Sequence, residues 1–96
     1  MGDNKSMTLE KNIEIVNRLG FHARAAAIFV KTAEKFSAKI SVSKDGINAD
    51  GKSILGLLTL GASKGTKIVI MTKGTDAEEA MKALEELINN KFGEEE

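Results

Sequence analysis

The chain holds one histidine, His22, inside the run LGFHARAAAIFVK from Leu19 to Lys31. Gly20 removes side-chain bulk just ahead of it, Arg24 follows two places on, and a run of good helix formers begins at Ala23. A helix starting there presents unpaired backbone amides at its N-terminus, and these favour an anion. Arg24 adds a forked cation that suits phosphate oxygens. Imidazole is partly neutral near pH 7, and its free nitrogen is a nucleophile. Together these features suit a histidine that accepts a phosphoryl group and holds it against the helix end, with the arginine offsetting charge during in-line transfer. The plain alternative is a surface histidine with no role.

Ser53 is a second candidate of similar kind. It precedes the apolar segment ILGLLTLGA, where its hydroxyl can cap a helix by accepting from a first-turn amide. The same position tolerates a phosphorylated serine, because negative charge is favourable at a helix start. Ile54, Leu55 and Leu58 offer more apolar surface than one short helix needs to bury, which reads as a docking patch. Leu57 and Leu60 suit the core.

Gly46 to Ser53, GINADGKS, matches the phosphate-loop pattern G-x-x-x-x-G-K-[ST]. Its context does not fit. Asp45-Gly46 is better used as a two-residue hairpin turn, the helix after Ser53 is short and broken by Gly56 and Gly61, and no later strand ends in an acidic residue for Mg²⁺. Metal and hydrolase readings fail by inventory. One histidine and no cysteine give no zinc-ligand set, and no serine sits on a recognisable strained elbow. No cofactor is expected.

Composition narrows the remaining classes. The 96 residues suffice for one domain. The 14 basic and 14 acidic side chains cancel, so no overall field draws nucleic acid or an anionic membrane. Without Trp or Tyr the chain lacks the stacking platforms of single-strand binders. The absence of cysteine excludes disulfides. No stretch is apolar enough to span a bilayer, and MGDNKS is too polar for a signal peptide, so a cytoplasmic location is expected. The opening also fits the loose myristoylation pattern M-G-x-x-x-S, which is too short to carry weight.

The elements that must hold these residues follow from periodicity. Leu9 to Val16 alternates like a half-buried strand, with Ile13 and Ile15 on one face. Ala26, Phe29, Val30 and Ala33 mark one face of a helix spanning Ala23 to Phe36. Ala38, Ile40 and Val42 form a second strand, and Ile47 to Asp50 its short return. Lys67 to Thr72 is the strongest strand by β-branched content. Thr75-Asp76-Ala77-Glu78 reads as a capping box, followed by a helix with Ala77, Ala80, Met81, Leu84, Leu87 and Ile88 on one face. The order is β-α-β-β-α-β-α. Strands with one wet face favour an antiparallel sheet with helices on one side, an α+β two-layer sandwich. Residues 1–7 read as a flexible extension, 8–90 as the domain and 91–96 as a flexible acidic tail.

The segments LGFHARAAAIFVKTAEKF, DGINADGKSILGLLTLGASKGTKIVI and GTDAEEAMKALEELI, with their spacing, resemble the histidine-containing phosphocarrier (HPr) family of the bacterial phosphotransferase system. The likeness runs from about Leu9 to Ile88. It implies an open-faced β-sandwich of four antiparallel strands covered by three helices. It implies a covalent carrier rather than an enzyme, with His22 taking a phosphoryl group on Nδ1 from phosphorylated enzyme I and passing it to a IIA component for sugar uptake or regulation. Arg24 would steady the phosphate, Ser53 would match the serine that HPr kinase/phosphorylase modifies in some lineages, and Ala27, Ile54, Leu55 and Leu58 would dock partners. A monomer is implied. A regulatory interaction module governed by Ser53, acting on a transcription factor or kinase, is the alternative. One departure stands out: the family's usual Pro-Ala after the arginine is Ala25-Ala26 here, and alanine keeps the amide that proline would remove.

Overall fold

The computed structural model describes residues 6–95. Four strands, β1 Met7–Glu14, β2 Lys39–Lys44, β3 Ile47–Asp50 and β4 Lys67–Gly74, form one sheet in the order β1-β4-β2-β3. Every neighbouring pair is antiparallel. Three helices, α1 Ala23–Ala33, α2 Ile54–Thr59 and α3 Ala77–Asn89, complete the expected order. Side chains alternate across each strand. Ile40, Val42, Ala49, Ile68 and Ile70 are buried under the helices, while Lys39, Asn48, Met71 and Lys73 are exposed. The sheet is therefore covered on one face and open on the other.

The Asp45-Gly46 hairpin forms as its residue types require. Both residues are left-handed, with φ of 52° and 81°, and they bring Lys44 opposite Ile47. This is the twist a two-residue hairpin needs. The phosphate-loop match is thereby accounted for: the segment is a hairpin turn, a strand and the approach to α2.

Some details differ from the sequence reading. α1 ends at Ala33 rather than Phe36, because Lys35 and Phe36 donate to the carbonyls of Thr32 and Ala33 in a tighter turn. No capping box forms at α3. The helix starts at Ala77 after Asp76, and the Asp76 carboxylate instead accepts from the amides of Ser37 and Ala38, both at 2.8 Å, tying the α1–β2 turn to the start of α3. Ile15 lies beyond β1 but stays buried, because its amide and carbonyl pair with Thr66 and Gly65.

The C-terminal segment, expected to be a flexible tail, packs against the domain. Lys91–Gly93 is a single 3₁₀ turn. Lys91 and Phe92 take left-handed conformations, with φ of 57° and 55°. That conformation costs about 1 kcal/mol or more per non-glycine residue. The reversal turns Phe92 back into the core, where it is 4% exposed and its ring lies 5.5 Å from that of Phe21. Burying one aromatic ring offsets strain of that size. At the other end, Met7 already belongs to β1, and residues 1–5 of the expected extension lie outside the described residues.

α1 and α2 run antiparallel over the sheet. The Lys52 ammonium, just before α2, donates to the Phe36 carbonyl beyond the end of α1 at 2.8 Å. At the opposite end, the Phe21 amide donates to the carbonyl of Ala62, also at 2.8 Å. The starts of the two helices therefore lie at opposite ends of the pair.

Candidate functional site

His22 is the residue before α1, with extended backbone at φ −84° and ψ 178°, and its side chain makes no capping bond to the helix. The Ala26 amide donates to the His22 carbonyl at 2.8 Å. That bond closes the first helical turn directly after Ala25, the position where the family usually has proline, and the turn is regular with alanine there.

A compact loop delivers His22 to this position. Gly20 is left-handed at φ +68°, and a Cβ there would sit 2.5 Å from the Ala62 carbonyl oxygen. Only glycine fits such an approach. Asn17 is fully buried, and its Nδ2 donates to the Gly20 carbonyl at 2.8 Å. The His22 amide donates to the same carbonyl at 2.9 Å. The backbone under the histidine is thus held from both sides.

The C-terminal segment completes the site. The Glu94 carboxylate accepts from His22 Nε2 at 2.6 Å through Oε2, and from Asn17 Nδ2 at 3.1 Å through Oε1. The two side chains are 26% and 20% exposed, respectively, for His22 and Glu94. Burial alone would raise the Glu94 carboxyl. The hydrogen bonds from His22 and Asn17, and the positive field of His22 and Arg24, outweigh it, and the group titrates below its ordinary value. Arg18, Leu19, His22, Arg24, Phe92 and Glu94 line an open cleft of about 380 Å³.

His22 and Arg24 therefore share one cleft, and Ser53 does not line it. Ser53 caps α2: its Oγ accepts from the Gly56 amide at 3.0 Å. Ile54 and Leu55 are exposed, Leu58 is half-buried, and Leu57 and Leu60 are in the core. Ala27 is exposed on α1. Asn17 and Glu94 were not legible as site residues. Asn17 lies three places before Gly20, a spacing that allows a side-chain bond to the turn. Glu94 stands in a run of three glutamates with no distinguishing neighbour. No group of His, Cys, Asp and Glu able to hold a metal exists among the described residues.

An open-faced sandwich that sets a histidine and an arginine at the exposed start of a helix has the build of a phosphoryl-carrier module. The comparisons with known proteins give the family. Residues 9–90 match the family described as "PTS HPr component phosphorylation site". The chain is 50% identical over 86 residues to the phosphocarrier protein HPr of Neisseria meningitidis serogroup A, covering 90% of this chain and 97% of that one. Among solved structures, HPr from Thermoanaerobacter tengcongensis superposes with a TM-score of 0.85 at 52% identity, over 92% of this chain and 99% of that one. HPr from Bacillus anthracis gives 0.82 at 40% identity, over 84% and 96%. The chain belongs to the HPr family and is a phosphocarrier of the phosphotransferase system, a carrier rather than a catalyst. Its partners are phosphotransferase-system proteins. The alternative of a purely regulatory module is not favoured. No helix among the described residues is long and apolar enough to cross a membrane.

Proposed function

We propose that His22 is the phosphoryl acceptor, charged by phosphorylated enzyme I and discharged to a IIA component. The observation that carries this reading is the placement of the chain's one histidine at the start of α1, in an open cleft it shares with Arg24 and with no capping bond of its own. A phosphoryl group there meets the first-turn amides and the positive end of the helix. The Arg24 guanidinium offsets the charge spread over the phosphoryl oxygens during transfer. The exposed apolar side chains of Ile54 and Leu55, with Leu58 and Ala27, support docking of the donor and recipient on the α1–α2 side. Ser53, half-buried beside that patch, is the position for regulatory phosphorylation by an HPr kinase/phosphorylase. The working form is a monomer in the cytoplasm.

Intact-mass spectrometry at neutral to alkaline pH tests the core of this reading. The protein is incubated with phosphoenolpyruvate and a catalytic amount of enzyme I, beside a His22→Ala variant. One acid-labile phosphate on the wild type alone is expected. No phosphate on the wild type, with a demonstrably active enzyme I, would sink it.

A further inference from the structure

The Glu94 contact with the histidine ring bears on how that ring reacts. A carboxylate that accepts from Nε2 fixes the proton on Nε2, because an ionised carboxyl group has nothing to donate. Among the described residues, Nδ1 has no hydrogen-bond partner. The ring is thereby held as the tautomer whose free lone pair is on Nδ1. The carboxylate is itself held. Asn17, fully buried, donates from one amide nitrogen both to Glu94 and to the Gly20 carbonyl beneath His22. The buried Phe92 ring anchors the segment two residues before it. Nothing in the packing of Phe92 requires Glu94 to face the histidine, yet its two oxygens meet the ring and the residue that supports it.

We propose that Glu94 is a positioning residue for phosphoryl transfer: through Nε2 it orients the His22 ring, keeps Nδ1 free to attack, and offsets the positive charge the ring acquires. This rests on the reading that His22 is the acceptor. In the step itself, the Nδ1 lone pair forms the new N–P bond. The donor's bond to phosphorus breaks, and its electron pair leaves with the donor. The Nε2 proton stays in place, so the phosphorylated ring is cationic beside its new phosphoryl group. A carboxylate on Nε2–H is worth more at that stage than before it, since hydrogen bonds between two charged groups are the stronger ones. An interaction that strengthens towards the transition state accelerates the step. The same carboxylate lies near an incoming anion and repels it. Its place on the ring nitrogen away from the attacking one makes the ring effect the larger, because charge interactions fall with distance.

The test uses the full chain and Glu94→Gln, which keeps an acceptor and the shape of the side chain but not the charge, with Glu94→Asp as the conservative variant. Phosphorylation by enzyme I and phosphoenolpyruvate is followed by intact mass in time. In parallel, ¹⁵N chemical shifts of the His22 ring report its tautomer. The expected result is about a tenfold slower charging of Glu94→Gln, a ring no longer confined to the Nε2–H form, and partial recovery of both in Glu94→Asp. Charging of Glu94→Gln at the wild-type rate or faster, or an unchanged tautomer, would overturn the proposal. Failure of the wild type to take phosphate would instead overturn the acceptor assignment on which it rests.

Discussion

α1 and α2 both begin at a residue whose side chain can carry phosphate, and the two starts are used in opposite ways. Ser53 spends its hydroxyl on its own helix, accepting from the Gly56 amide. His22 makes no such bond, and its ring is held instead by Glu94 from the far end of the chain. A side chain that caps its helix is ordered by local geometry and has its best acceptor occupied. One that leaves the cap empty keeps both the ring nitrogen and the helix amides available to an incoming anion. The difference separates a start closed by its own side chain, which modification can perturb, from one left open, which on the proposed reading serves transfer and takes its support from outside its helix.

The largest effect that sharpens this contrast is loss of the proposed acceptor. His22→Ala should take up no acid-labile phosphate, with the fold intact by circular dichroism, because the side chain contributes no cap that could be lost. A variant that still accepted one labile phosphate would break the contrast outright. Next is Arg24→Ala. The side chain is exposed, so its charge is partly screened, and charging by enzyme I should slow by about ten- to a hundredfold rather than the larger factors seen for buried arginines. A rate within twofold of wild type would remove Arg24 from the site.

How much of this was legible in the sequence depends on the range of the interactions. The hairpin at Asp45-Gly46 and the Ser53 cap are set by neighbours within a few residues and are found where the pattern puts them, and the four strands form as read except that β1 lies two residues earlier. His22 and Arg24 share a helix turn, so their pairing in one cleft was also readable. The capping box was misread because the pattern T-x-x-E is local, whereas Asp76 is recruited by the amides of Ser37 and Ala38, far away in sequence. The tail was misread for the same reason. Its polar composition suggests fraying, and one residue, Phe92, reverses that by finding Phe21. That contact packs the end of the segment against the loop before α1, and Glu94 meets His22 across 72 positions.

Ser53 gives a smaller effect of two kinds. Ser53→Ala removes the cap and should cost about 1 kcal/mol, a fall in Tm of about 5 °C for a domain of this size, while charging at His22 stays within twofold. Ser53→Asp keeps a competent cap, so Tm should hold. It should still slow charging several-fold, by placing negative charge beside the apolar patch proposed as the dock for enzyme I. The added charge lies about one helix length, roughly 16 Å, from His22. That exceeds the screening length at physiological salt, so the effect should appear in docking affinity and not in the chemistry at the ring. Wild-type charging of Ser53→Asp would mean that the α2 start is no part of the dock.

The smallest effect tests whether the His22 end is tied to the tail by charge. The Glu94 carboxyl is held below its ordinary value of 4.5 in the folded protein. The folded state therefore binds this proton less readily than the unfolded chain. The resulting stability is fully present above about pH 4.5 and is lost as pH falls through the lower folded value. Partial exposure screens the contribution, so Glu94→Gln should melt only about 2 °C below wild type at neutral pH. The gap should close on acidification as the wild-type carboxyl takes up its proton. Thermal melts of both proteins from pH 7 to pH 3 decide the matter. A gap that persisted unchanged at the acid end would show that the segment is held by the packing of Phe92 alone, and the contrast between the two helix starts would then rest on the empty cap at His22 and not on its ionic partner.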